Sequence, residues 1–206
     1  LRTGEPLSVL AAESRSANVS MLVVGGHPGK FAPQKNERLM QLIRKSDCMV
    51  LVAGPKGRRS TMVAATDCSD QALPVPEAAG GLAFVLGREL CVVHNVDAAA
   101  SQLAARLRMP LSGHLADCVA MRSREWLEQA TGLRNIVVSR HNDNARGILS
   151  VVDDWQADLL VMGAKRPEQV LGGTAAAVLG GAHTSVLFVP FPTELPQKTS
   201  RGLRVA

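Results

Sequence analysis

The residues with the types and spacing to do chemistry fall in two short segments, Asp67-Cys68-Ser69-Asp70 and Gly163 to Thr174. The second offers Gly163, Gly172 and Gly173, then Thr174 where a helix is expected to begin, with Lys165 and Arg166 in the same loop. Backbone N–H groups at a helix start, reinforced by the helix dipole, can hold a phosphate. The same glycines also suit a tight turn and cap, and the absence of Gly-Lys-Ser/Thr shows that this is not a Walker loop.

The first segment invites nucleophile readings, and its neighbours argue against them. Asp67 could attack a substrate as in haloacid dehalogenases, but that chemistry uses a second aspartate two positions on, where Ser69 stands. Cys68 could be a thiolate at a helix start, yet the Cys-x5-Arg spacing of thiol phosphatases is missing because position 74 is Pro74. A buried or modestly reactive thiol is the simpler reading, with Ser69 as a helix N-cap. His94 has no acid or serine at motif spacing, and reads as a hydrogen-bonded core histidine. No catalytic residue is assigned, and the chain is not expected to be an enzyme.

These segments need a scaffold, and the apolar pattern supplies one. Thr61 to Thr66, Leu90 to Val96, Leu133 to Ser139, Leu159 to Met162 and Val186 to Val189 read as strands. Helices are expected at about Pro76 to Gly87, Leu115 to Ala130, a segment capped by Asn142 or Asp143, and Thr174 to Ala182. In the capped helix, Ala145, Ile148, Leu149, Val152 and Trp155 fall on one face, which must pack on the sheet. Continuous rather than alternating apolar strands imply burial on both faces, hence a doubly wound parallel sheet between helices. Ligands of such sheets bind beyond the strand C-termini, where both segments lie.

One passage occurs twice. Ala17 to Gly26 parallels Trp155 to Ala164, with Gly25 on Gly163, an offset of 138 positions. Each copy follows a helix-like stretch and leads, through a second helix, to a short apolar run, Met49 to Val52 or Val186 to Val189. Leu1 opens the chain and the first copy lacks its front half, so the sequence reads as an incomplete or trimmed chain. The expected organisation is a partial first unit at 1–55, a linker at 56–59, a complete unit at 60–191 and a mobile basic tail at 192–206.

Composition limits the alternatives. With 206 residues, 46% hydrophobic and 20% charged, the chain can bury a sizeable core. No apolar run reaches the roughly 18 to 20 residues that span a bilayer, so no membrane partner is expected. The net charge of +5 is dispersed, and with 3% aromatics and no tyrosine a base-stacking surface for nucleic acid is not expected. Cys48, Cys68, Cys91 and Cys118 form no CxxC pair and no metal-like spacing with histidine, which fits reduced thiols in a cytoplasm and no metal site.

At VAATDCSD, LCVVHNVD, ADLLVMGA, GGT and SVLFVP, residues Arg59 to Pro190 resemble the universal stress protein family as a whole domain. Residues Leu1 to Pro55 resemble the rear half of a preceding domain of that family. The resemblance implies an adenine-nucleotide alpha hydrolase-like, five-stranded parallel sheet of order 3-2-1-4-5, plus a partial second copy. It also implies a homodimer or an intramolecular pseudo-dimer through the last strands, which would set Met49 to Val52 beside Val186 to Val189. ATP, accompanied by magnesium, is the implied ligand. Asp67 would stand near base and ribose, Asn95 would meet adenine, and Gly163, Gly173 and Thr174 would surround the phosphates.

The departures bear on the same residues. The family's second glycine position is Arg166, which could pair with a phosphate or block it, and the loop from Gly163 to Gly173 is three residues shorter than the nucleotide-binding form. Asn142 stands where many members have glycine. In the partial copy Asn36-Glu37 replaces the Gly-Ser/Thr pair, so no site is assigned there. Two readings follow: a stress-response protein that binds adenine nucleotide without efficient turnover and switches unknown protein partners, or a nucleotide-independent dimerisation and interaction module of the same fold.

Overall fold

The computed structural model describes residues 3–15, 19–25, 33–55, 60–69, 72–96, 104–106, 108, 113–141, 143–164 and 173–191, with side chains at 33–35 excepted. Seven strands form one sheet: β1 (Met21–Gly25), β2 (Met49–Ala53), β3 (Thr61–Ala65), β4 (Glu89–Asn95), β5 (Ile136–Ser139), β6 (Leu159–Ala164) and β7 (Ser185–Pro190). Their order is β1-β2-β7-β6-β3-β4-β5. The expected five-stranded sheet and partial second copy form one seven-stranded sheet, joined through β2 and β7. Taken alone, the five strands after residue 60 keep the order 3-2-1-4-5, and β1-β2 extends them along the β7 edge.

The junction is antiparallel. Val50 pairs with Phe188, Leu51 with Leu187 and Val52 with Val186, whereas every other strand pair is parallel. This is the last-strand pairing made within one chain, so β7 has a strand on both edges and offers neither to a second copy. Gly54 tightens the joint. A β-carbon there would fall 2.7 Å from the Thr184 carbonyl carbon, and the Gly54 N–H donates to Ser185 Oγ at 3.1 Å.

Helices cover both faces. On one lie α1 (Pro6–Glu13), α2 (Pro33–Lys45), α5 (Asn144–Asp154) and α6 (Gly173–Gly181), burying Leu39, Ile43, Val151, Val178 and Leu179 against Val50, Val52, Val63 and Leu160. On the other lie α3 (Pro74–Leu86) and α4 (Gly113–Thr131), which bury Val75, Ala79 and Leu127 against Met62, Val92 and Leu187. Strands β3, β4, β6 and β7 are buried almost throughout, as continuous apolar runs require. Strand β1 departs from this pattern: Leu22 and Val24 pack into the first core while Met21 and Val23 are exposed.

Helices begin at Pro74, Gly113 and Gly173 where the sequence reading had about Pro76, Leu115 and Thr174, and one expected cap is not made. Asp143 caps α5 through Arg146 N–H, as expected, and its carboxyl is held below its ordinary value by that bond. Ser69 does not cap α3. That helix begins at Pro74, whose missing N–H suits a first helical position, and its N-cap Leu73 makes no side-chain bond. The linker at 56–59 and the tail at 192–206 lie outside the described residues. No helix among the described residues is long and apolar enough to cross a membrane.

Candidate nucleotide-binding site

Strands β3 and β6 are neighbours at the centre of the sheet, and their outer neighbours, β4 and β7, lie in opposite directions from this pair. Strand order therefore reverses between them, and the segments after both strands end at this point. Asp67 follows β3. Its Oδ1 accepts from Ser69 N–H at 3.0 Å and from Ser69 Oγ at 2.6 Å, closing an Asx turn that holds the exposed carboxylate beyond the sheet. Between them Cys68 takes a left-handed backbone, φ 59°, and its N–H donates to Thr66 Oγ1 at 3.2 Å. Burial, then the neighbouring Asp67 charge, pushes the Cys68 thiol up to about 12, so it remains a protonated packing group.

His94, the penultimate residue of β4, reaches the residue before this turn. Its Nδ1 lies 3.0 Å from the Thr66 carbonyl oxygen, which can only accept, so Nδ1 carries the proton. Burial holds its pKa below the ordinary histidine value. The ring is a neutral brace between β3 and β4.

Asn95, the next residue, is committed to structure. Its Nδ2 donates to the His141 carbonyl and to Asn144 Oδ1, both at 2.8 Å, and its Oδ1 accepts from His141 N–H at 3.1 Å. Both amide hydrogens expected to face adenine are used to tie β4 to the β5–α5 turn. Gly147 of α5 packs under this clamp, since a β-carbon there would lie 3.0 Å from Ser139 Oγ and 3.2 Å from Asn95 Nδ2.

The two glycines of the second loop have different surroundings. At Gly163, a β-carbon would stand 2.2 Å from Cε1 of Phe191, whose buried ring folds back over the end of β6. Gly163 is thus required by close packing. At Gly173 a β-carbon would meet nothing within 4 Å, the residue is exposed, and the first turn of α6 carries no acidic residue. Thr174 follows, half-buried. A helix start of this kind, with its amides and the positive end of its dipole, can hold an anion, and among the described residues its first turn brings no carboxylate against one. Lys165, Arg166, Gly172 and Asn142 lie outside the described residues.

The structure therefore brings Asp67, Asn95, Gly163, Gly173 and Thr174 to one end of the sheet, with Gly173 exposed and the Asn95 amide already engaged by His141 and Asn144. Sequence reasoning missed Phe191, His141, Asn144 and Gly147. The signal for Phe191 was a scarce aromatic, one of four phenylalanines, set between Pro190 and Pro192 at the end of the last strand. Among the described residues no group of three or more His, Cys, Asp or Glu is placed to hold a metal ion.

Fold and site together define a doubly wound α/β protein of the adenine-nucleotide alpha hydrolase-like class. The model of the universal stress protein family matches residues 59–190, more than half of the chain, and the chain belongs to that family. Among solved structures it is similar to a putative universal stress protein from Pseudomonas aeruginosa, with 16% identity, TM-score 0.65, and coverage of 92% of this chain and 69% of that one. A universal stress protein from Archaeoglobus fulgidus matches with 16% identity, TM-score 0.64, and coverage of 92% and 67%. A functionally unknown Pseudomonas aeruginosa protein matches with 15% identity, TM-score 0.63, and coverage of 92% and 69%. These likenesses establish the fold. No curated protein matches the sequence.

Proposed function

We propose that residues 60–191 bind an adenine nucleotide, ATP, across the C-terminal ends of β3 and β6, with little or no turnover, in a cytoplasmic stress-response protein whose partner contacts change with occupancy. The observation that carries this reading is the amino end of α6, where Gly173 is exposed and no described residue comes within 4 Å of where its β-carbon would stand. Gly173 and Thr174 would hold the phosphates, and Asp67 the ribose or base. Arg166 would pair with a phosphate oxygen from the intervening loop. Magnesium would arrive on the nucleotide, since the described residues include no acidic cluster to bind it alone. Four unpaired cysteines support a reducing compartment.

A second reading has its own support. Gly163 is occupied by Phe191 and Asn95 by His141 and Asn144, so two of the residues matched to the nucleotide pattern have structural reasons to be what they are. In that reading the chain is a nucleotide-independent interaction module, its last strands already paired within the molecule. Titration of ATP into the protein and into Gly173→Val separates the two, because only the first requires the open helix end.

A further inference from the structure

The outer face of α4 carries donors for a soft metal ion in one stripe: His114, Cys118 and Met121, at i, i+4 and i+7. The helix packs inward through Ala116, Val119, Ala120 and Leu127, which leaves the stripe exposed. His114 Nε2 stands 4.0 Å from Cys118 Sγ. Metal–sulfur and metal–nitrogen bonds of about 2.3 and 2.0 Å together exceed that separation, so one ion can touch both atoms where they lie. The two bonds would meet at roughly 135°, wider than the tetrahedral angle of zinc centres.

Two of these residues are out of place as packing groups. Free cysteine is among the most buried residue types, and Cys48 and Cys91 follow that rule, whereas Cys118 is exposed. Met121 is 56% exposed, the most exposed methionine among the described residues. From one turn beyond Cys118, its flexible side chain can bring a thioether beside the thiol. Nearby carboxylates are engaged elsewhere: Asp117 accepts from Arg140 at 2.8 Å, and Glu125 lies 3.5 Å from Arg122. Thiolate and thioether sulfur favour a soft ion and imidazole accepts copper, so the set suits copper(I). The single charges of a thiolate and copper(I) cancel, and no acidic cluster is needed.

We propose that His114, Cys118 and Met121 bind one copper(I) ion on the outer face of α4. The Cys118 thiol releases its proton to solvent as the copper–sulfur bond forms, imidazole and thioether add lone pairs, and the metal stays copper(I) throughout. The test is withdrawal of copper(I) from its coloured bicinchoninate complex by the whole protein, under argon with ascorbate. The wild type should take up one equivalent with no change of mass in light scattering, and the bound copper should shield Cys118 from alkylation. Cys118→Ser should abolish uptake. His114→Ala and Met121→Leu, both at exposed positions, should each weaken it at least about tenfold, with thermal melts unchanged. Equimolar zinc should leave uptake as it is. No uptake, uptake unchanged in any of the three variants, or a copper-dependent doubling of mass overturns the site, and displacement of copper by equimolar zinc overturns its assignment to a soft monovalent ion.

Discussion

The ring of Phe191 lies where the β-carbon of any residue other than glycine at position 163 would stand, 2.2 Å from Cε1 and 2.5 Å from Cζ of that ring. The first glycine of the expected phosphate loop is therefore held in place by packing at the end of β6. Gly163→Ala should destabilise the protein by about 1–3 kcal/mol, the range for overpacking a tight interior. In a Phe191→Ala background, itself destabilised by loss of the buried ring, Gly163→Ala should cost far less. Chemical denaturation of the two single variants and the double variant measures the coupling; additive effects would show that ring and glycine are independent.

Asn95 is expected to matter for stability before it matters for any ligand. Its side chain makes three hydrogen bonds across the β4–β5 boundary, so Asn95→Ala should cost about 1–3 kcal/mol by leaving buried partners unsatisfied. Hydrogen exchange should speed up at His141 first. An unchanged exchange pattern would mean that the clamp contributes nothing to the turn.

Much of this architecture was legible in the sequence because burial leaves a strong pattern. Continuous apolar runs located β3, β4, β6 and β7, and Asp143 announced the start of α5. The pairing of Met49 to Val52 with Val186 to Val189 came from the family resemblance, and its antiparallel direction from the structure alone. What the sequence hid was long-range. That Asn95 reaches His141, 46 positions away, or that Phe191 returns over Gly163, depends on how loops close, which no local periodicity records. Ser69 was misread for the opposite reason: a local N-cap preference lost to Asp67, which uses both Ser69 donors, and to Pro74, which starts the helix.

Acid should weaken the fold through His94. Its pKa is lowered in the folded state by burial, so below the ordinary value of 6.5 the unfolded chain binds the proton more readily. Stability should therefore be unaffected by this group above that value and fall as pH drops from it toward the folded pKa. Thermal melts at about pH 7.5 and pH 5.5 compare the wild type with His94→Gln. The variant should show the smaller acid-side loss; equal losses would remove His94 as the cause.

Thiol reactivity should follow burial. Cys118 is exposed on α4, whereas burial raises Cys68 and Cys91 to about 12 and also raises Cys48. Brief alkylation at neutral pH, read by peptide mass spectrometry, should modify Cys118 well before the other three. Early modification of Cys68 would contradict the burial of its thiol within the Asp67–Ser69 turn.

The central claim is that the open end of α6 accepts the phosphates of an adenine nucleotide. The most direct measurement is calorimetric titration of ATP, with and without magnesium, into the wild type, Gly173→Val and Asp67→Asn. The valine β-carbon meets no atom of the described residues, and asparagine keeps an oxygen for the Ser69 turn while removing the charge. Micromolar binding that is abolished in Gly173→Val and weakened in Asp67→Asn is the predicted result. No heat at about millimolar nucleotide, or affinity that is the same in all three proteins, would contradict the account and leave the interaction module.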